Sequence, residues 1–108
     1  MMRGDLVTIA VQGDFGKSRS ALVIQADHFA NHATVTVLPV TSTLVAAPLL
    51  RITISPSEEN GLQMPSQVRV DKAVTVKHDK VGQAFGRIDA ETLVEIERCL
   101  AVFLGIAK

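Results

Sequence analysis

The stretch SALVIQA, residues 20–26, decides how this chain folds, because nearly all of it is apolar. Apolar residues follow one another from Ala21 to Ile24 without helical spacing. A short apolar run of this kind, bounded by polar residues, is typical of a β-strand that is buried on both faces. The rest of the fold therefore has to cover this strand from two sides.

The runs on either side of it also predict strands. In ATVTVLPV, residues 33–40, threonine and valine alternate, so the valines share one face. LLRITIS, residues 49–55, alternates too and places Arg51 and Thr53 on the face opposite its isoleucines. The other strand-like runs are LVTIAV (6–11), QVRVDKAVTVK (67–77) and the second part of HDKVGQAFGRI (78–88), and the turn-rich segments are QGDFGKS (12–18) and SPSEENGLQMPS (55–66). This spacing predicts a small antiparallel barrel or a tightly twisted sheet.

The last 20 residues, 89–108, have a helical pattern instead. Asp89 is a suitable N-cap and Gly105 a suitable stop. The apolar stripe at helical spacing consists of Leu93, Ile96, Leu100, Phe103 and Leu104. Because strands come first and one packing helix comes last, we predict a β-rich α+β fold, formed by a single domain over residues 1–108.

The composition limits the possible partners. Eleven Lys and Arg balance eleven Asp and Glu in 108 residues, so the chain does not coat nucleic acid by bulk charge, and any phosphate site must be a local cluster. The single cysteine excludes an internal disulfide, and the three histidines lack metal-ligand spacing, so we expect no metal and no cofactor. Without a signal peptide or membrane-helix pattern, we expect a soluble cytoplasmic protein.

The segment VRVDK, residues 68–72, carries a possible phosphate site. On a strand, Arg69 and Asp71 would share one face, roughly 6.6 Å apart along the chain. A guanidinium can bind phosphate oxygens in a bidentate fork, and a carboxylate can accept a proton. A surface ion pair explains the same spacing, and from the spacing alone that explanation is favoured.

Two further clusters flank predicted strands. Lys17 and Arg19 precede the buried strand, where a solvated arginine and an arginine directed at an anion are both possible. Thr41 and Ser42 stand at the end of the strand that contains residues 33–40, directly after Val40, where hydroxyls either bond to the local backbone or orient a phosphate.

The order of these segments resembles the MazF/PemK family of toxin ribonucleases. RGDLVTIAV (3–11) followed by GKSRSALVIQAD (16–27) is similar to the opening of that family, and VLPVTST (37–43) is similar to its third strand. ISPSEENGLQMPSQVRVDKAVTVKHDKVG (54–82) and RIDAETLVEIERCLAVFLG (87–105) resemble its later segment and its closing helix. The resemblance covers roughly residues 3–105, and it implies a small SH3-like barrel of antiparallel strands closed by a C-terminal helix, as in CcdB and MazF.

The resemblance implies a metal-independent endoribonuclease toxin that cuts single-stranded RNA at short sequences and so inhibits translation and growth. In such enzymes the ribose 2′-OH attacks the adjacent phosphorus, leaving a 2′,3′-cyclic phosphate and a 5′-OH. DNA lacks the 2′-OH and would be spared. The implied partners are a second copy of the chain, in a homodimer, and a labile antitoxin with a disordered acidic tail.

The family pattern also implies roles for individual residues. Arg19 falls on the arginine that binds the scissile phosphate, and Thr41 falls on the threonine that positions it. Arg69 and Asp71 match the R-x-D of the Kid/PemK branch, in which the arginine is the acid and the aspartate is the base. The implied RNA-binding residues around them are Lys17, Ser18, Ser42 and Lys72.

Two departures from the family pattern bear on these roles. Ser20 stands where the family has proline after the arginine, and the loop of residues 12–18 lacks the histidine of the Kid/PemK branch, which leaves Lys17 as the nearby cation. The alternatives to an enzyme are a non-catalytic module on the same barrel, gripping a protein target such as DNA gyrase, and a catalytically dead regulator.

Overall fold

The first part of the apolar run, residues 20–23, lies in the middle of a β-sheet in the computed structural model, which describes residues 1–10 and 17–108, whereas residues 24–26 follow the strand. The strand is β2, Ser18–Val23, and it pairs antiparallel with β1 on one side and β3 on the other. The complete set of elements is β1 (Asp5–Ala10), β2 (Ser18–Val23), β3 (Thr34–Thr41), β4 (Arg51–Ile54), β5 (Ser66–Arg69), β6 (Val74–Lys77), β7 (Val81–Arg87) and helix α1 (Ala90–Phe103).

The seven strands form one antiparallel sheet in the order β4-β5-β3-β2-β1-β7, with β6 also paired to β3. The predicted β-rich α+β fold with a C-terminal helix is confirmed. The sheet differs from a hydrogen-bonded barrel in one respect, because no ladder joins β4 to β7 in the part of the chain that the structure describes. The strands therefore curve around the core without closing.

Both faces of β2 are buried, as the apolar run predicts. Leu22 points into a first core cluster, in which it packs with Leu6, Leu38 and residues of β4, β5 and α1. Ala21 and Val23 point to the opposite face and into a second cluster. The second cluster contains Val7, Ile9, Ala21, Val23, Val35 and Val37, with Val74, Val76 and Val81 packed against it. One strand thus contributes to two cores, with α1 packed on the first of them.

The helix begins as its cap residue predicts. The Thr92 backbone N–H donates to Asp89 Oδ2 at 3.1 Å, and the Thr92 hydroxyl donates to Asp89 Oδ1 at 2.7 Å. Ile96 is fully buried in the first core, and Gly105 follows the helix with φ +76°, which is a conformation that favours glycine. Among the described residues, no helix is long and apolar enough to cross a membrane.

The prediction of one continuous strand over residues 67–77 is wrong. A 3-10 turn, Val70–Lys72, separates β5 from β6, although both strands pair with the same edge of β3. Val68 pairs with Val40, and Val74 pairs with Val37. The chain therefore advances six residues from β5 to β6 while β3 advances only three. The turn is therefore a three-residue insertion into this edge, and Val70 anchors it because its side chain is fully buried in the first core.

We predict that the cap at Asp89 makes stability depend on pH. The hydrogen bonds from Thr92 lower the pKa of Asp89 below its ordinary value of 3.8. A lowered pKa in the folded state stabilises the protein above the unfolded-state pKa, and this stabilisation disappears as the pH falls through the folded-state pKa. Between about pH 5 and pH 2, Tm should therefore fall more steeply for the wild type than for Asp89→Asn, measured by thermal unfolding. Identical pH dependences would contradict this.

Candidate functional site

A polar cleft lies where three strands end, because antiparallel pairing brings these ends together. β2 starts where β3 finishes, since Ala21 pairs with Pro39. β5 also runs antiparallel to β3, with Gln67 opposite Thr41. Two adjoining cavities open at this point, and together we call them the cleft.

The first cavity has a volume of about 360 Å³ and contains both predicted arginines. Its lining is Ile9, Arg19, Pro39, Val40, Thr41, Arg69 and Val74. Ile9 and Val74 belong to the second core, and Arg19 continues the alternation of Ala21 and Val23 toward the same face. The cavity therefore lies at the edge of the second core. On this face of β2, the apolar Val23 and Ala21 are followed toward the start of the strand by Arg19.

The second cavity, of about 370 Å³, is lined by hydroxyls and by a loop segment. Its lining is Ser18, Arg19, Ser20, Val40, Thr41, Ser42, Thr43, Leu62, Gln63, Met64 and Ser66. It shares Arg19, Val40 and Thr41 with the first cavity. Arg19 and Thr41 thus lie at the boundary between the first cavity, which contains Arg69, and the second cavity, which is lined by hydroxyl groups.

Arg69 is held so that part of its guanidinium lacks a protein partner. It ends β5 with its side chain half-buried, and its Nε is buried with no hydrogen-bond acceptor among the described residues. An unsatisfied buried N–H costs about 1–3 kcal/mol, so such a group is suited to an acceptor that arrives with a ligand. A phosphate oxygen is an acceptor of this kind.

The hydroxyl cluster at the end of β3 is shaped by a local turn. The Thr43 backbone N–H donates to Thr41 Oγ1 at 3.1 Å, which leaves the Thr41 hydroxyl hydrogen available as a donor. Ser42 between them is exposed and lines the second cavity. The backbone bond and the phosphate role expected at Thr41 are therefore compatible.

The structure corrects the expected geometry of Asp71. It does not share a strand face with Arg69, because it lies in the 3-10 turn Val70–Lys72. Its carboxylate is 3.5 Å from Lys72 Nζ, and Asp71 is absent from the described linings of both cavities. The structure therefore brings Arg19, Thr41 and Arg69 together but leaves Asp71 and Lys72 paired on the adjacent turn.

The remaining predicted residues lie at the start of β2. Lys17 is exposed immediately before the strand, and Ser18 is its first residue and lines the second cavity. Ser20, which replaces the family proline, pairs with Thr8 of β1 and also lines that cavity. Residues 12–16 of the predicted loop, and Val11 at the end of the predicted strand before it, lie outside the described residues.

Gln67 supports the site from outside the cleft, and no sequence pattern singled it out. Its side chain is only 5% exposed and binds the segment after Thr41: it accepts from Val45 N–H at 3.0 Å and donates to the Val45 carbonyl at 3.0 Å. It also donates to Thr53 Oγ1 at 3.1 Å. In β5, Gln67 lies on the same face as Arg69, and the loop that returns from Val45 covers it.

The fold and the cleft define a small antiparallel β protein with two arginines and a threonine in one cavity. A model of the PemK-like, MazF-like toxins of type II toxin–antitoxin systems matches residues 2–104. A curated protein of Mycolicibacterium smegmatis, named probable endoribonuclease MazF, is 44% identical over 108 residues, which is 99% of each chain. The chain therefore belongs to the PemK-like, MazF-like toxin family, and the resemblance in its sequence is confirmed.

Solved structures support the same fold. A mycobacterial endoribonuclease in complex with its cognate antitoxin matches with a TM-score of 0.83 at 21% identity, over 100% of this chain and 98% of that one. The Mycobacterium tuberculosis toxin MazF-mt6 matches with a TM-score of 0.81 at 20% identity, over 96% of this chain and 99% of that one. At these identities the likeness concerns the fold.

We predict that Gln67→Leu loosens the segment after β3. The substitution removes both hydrogen bonds to Val45, so the free energy of unfolding should fall by about 1–3 kcal/mol and the Val45 amide should exchange faster. Denaturant titration and hydrogen exchange measure the two effects. Gln63→Leu, at an exposed glutamine of the neighbouring loop, is the matched control. Unchanged protection of the Val45 amide would refute the anchoring role.

Proposed function

We propose that this protein is an endoribonuclease toxin that cleaves single-stranded RNA by attack of the ribose 2′-OH on the adjacent phosphorus. The observation that carries the proposal is that Arg19, Thr41 and Arg69 line one cavity. The name of the 44% identical relative, probable endoribonuclease MazF, supports the same activity. It favours an enzyme over a binding module for a protein such as gyrase.

The proposed reaction needs charge stabilisation more than any other contribution. As the 2′-oxygen bonds to phosphorus and the bond to the 5′-oxygen breaks, negative charge builds up on the non-bridging oxygens. Arg19 and Arg69, directed into one cavity, supply cationic donors to these oxygens. The Thr41 hydroxyl donates to a phosphate oxygen and fixes the orientation of the phosphate. The products are a 2′,3′-cyclic phosphate and a 5′-OH.

Proton transfer is assigned by the family pattern, as a separate proposal. One group has to accept the 2′-OH proton and another has to protonate the departing 5′-oxygen. The pattern gives the first role to Asp71 and the second to Arg69. The position of Asp71, two residues after Arg69 on the turn that follows β5, supports this assignment.

The proposed partners follow from the charge of the cleft. A cleft lined by Arg19 and Arg69, with the exposed Lys17 directly before β2, suits both an RNA backbone and the acidic, disordered tail of an antitoxin that folds on binding. One structural relative is described as bound to its cognate antitoxin. We propose that the toxin acts as a homodimer in the cytoplasm, where its RNA substrate is translated.

We predict that Arg19→Ala and Arg69→Ala each lower kcat on a long single-stranded RNA by about 10²–10³-fold, because each removes a donor to the reacting phosphate. The assay is cleavage in EDTA, with detection of 2′,3′-cyclic phosphate ends. Lys77→Ala is the matched control, since Lys77 pairs with Thr34 at the far end of β3, roughly 20 Å from Thr41. Wild-type protein that leaves the RNA intact would overturn the proposed function.

The role of Asp71 has its own test. If it is the base, Asp71→Asn should lower kcat by about 10²–10⁴-fold and remove the acidic limb of the pH–rate profile, while RNA binding stays unchanged. Lys72→Met, which removes the partner of Asp71 and leaves the carboxylate in place, should retain that limb. Full activity of Asp71→Asn would transfer the proton-accepting role to another group in the cleft.

A further inference from the structure

Two arginines face each other on the hairpin formed by β4 and β5. Arg51 pairs directly with Arg69, and the next pair, Ile52 with Val68, is buried in the first core. Because side chains alternate, both arginines project from the opposite, outer face. Their Cβ atoms are about 5 Å apart, at which distance like charges destabilise a sheet.

No carboxylate of the described residues compensates this pair. Among the described residues, neither guanidinium has an Asp or Glu oxygen within 4.0 Å. Among residues 1–10 and 17–108, Glu95 of α1 is the one carboxylate that lines the cavity around Arg51, and it makes no ion pair there. The juxtaposition is therefore suited to an anion that comes from outside.

Arg51 is held in a fixed orientation. Its Nη1 donates to the Thr43 carbonyl at 3.2 Å and to Gln67 Oε1 at 3.3 Å. A guanidinium has five N–H donors, so Nε and Nη2 keep their hydrogens for a ligand. A side chain whose rotamer is already fixed loses less conformational entropy when it binds.

The two arginines open onto different cavities. Arg69 lines the cleft beside Arg19, and Arg51 lines a separate cavity of about 370 Å³. That cavity is lined by Val45, Ala46, Ala47, Pro48, Arg51, Ile52, Thr53, Gln67 and Glu95. The arginine pair therefore connects the reaction site to the surface beside residues 45–48.

We propose that Arg51 binds a second phosphate of the RNA, neighbouring the scissile one, on the side of the cleft that leads to residues 45–48. This inference rests on the proposed function. RNA is favoured as the anion because its backbone carries one phosphate per nucleotide. Two neighbouring phosphates can therefore reach two neighbouring arginines, Arg69 on β5 and Arg51 on β4. Arg51 belongs to binding and not to the chemical step, so it determines affinity and the direction in which the strand leaves the cleft.

The test is the salt dependence of RNA binding. The probe is a 2′-O-methyl oligoribonucleotide of mixed sequence, which carries phosphates but lacks the attacking hydroxyl. Each lost phosphate contact reduces the slope of log K against log salt by about 0.7 for a single strand. Arg51→Ala should therefore show a slope lower by about 0.7, whereas Arg51→Lys and the control Lys77→Ala should keep the wild-type slope.

A second variant separates charge from structure. Gln67→Leu removes one acceptor that orients Arg51 but keeps the charge, so it should weaken binding at every salt concentration without changing the slope. If Arg51→Ala behaves in that same way, Arg51 is structural and the proposal is wrong. An unchanged RNA slope together with lost binding to polyglutamate would assign Arg51 to an acidic peptide instead, which also overturns the proposal.

Cleavage of RNA by the wild type, measured in parallel, separates a failure of the second phosphate site from a failure of the proposed endoribonuclease activity. Wild-type protein that cleaves RNA while Arg51→Ala keeps its slope rejects the second phosphate site alone. Protein that binds the oligonucleotide with the predicted loss of slope but never cleaves RNA rejects the proposed function and retains the site. Protein that does not bind the oligonucleotide rejects both.

Discussion

The burial of β2 on both of its faces is the constraint on which the rest of the structure depends. Leu22 needs cover on one side and Ala21 and Val23 need it on the other, and each buried side chain of this size contributes about 1–3 kcal/mol. The helix with β4 and β5 covers the first face, while β6 and β7 curve over the second. The curvature of the sheet is a consequence of this demand.

The same constraint creates the cleft. Toward its beginning β2 leaves the second core, and the next residue that points to this face is Arg19 and not an apolar side chain. The three-residue insertion after Arg69 then displaces β6 from β5, so that this arginine ends a strand instead of continuing one. Two cations thus occupy the mouth of a core, where Arg69 is half-buried and Arg19 is exposed to an incoming ligand.

The sequence predicts the strands and the helix of this fold better than it predicts the turns and loop contacts that connect them. Alternation identified the buried and exposed faces of β3 and β4, and cap chemistry placed the helix start at Asp89, because these signals are local. The turn at Val70–Lys72 escaped prediction because VRVDK alternates like a strand, and what breaks the strand is the fit of Val70 into a distant core. Likewise, the burial of Gln67 depends on a loop that folds back from Val45.

The residues of the candidate site also differ in whether local sequence signals reveal them. Arg19 and Thr41 could be singled out because each stands at the end of an apolar strand, and the family order gave them a shared ligand. Arg51 could not, because only the β4–β5 register reveals that it faces Arg69. A sequence shows which residues are neighbours along one strand. Which residues are neighbours across two strands depends on the pairing register, which only the structure gives.

The distribution of ion pairs explains how a chain without net charge can present a cationic cleft. Arg3 pairs with Glu97 of α1 and Arg87 pairs with Asp5, so these cations fasten the first strand to the helix and to the last strand. The RGD tripeptide at residues 3–5 is thereby occupied with structural contacts. In the described part of the chain, Arg51 and Arg69 have no such carboxylate. Among the described residues, Asp5 and Glu97 thus serve the scaffold, and no acidic side chain lines either cavity of the cleft. The cavity that holds Arg19 and Arg69 can therefore be cationic in a chain whose net charge is zero.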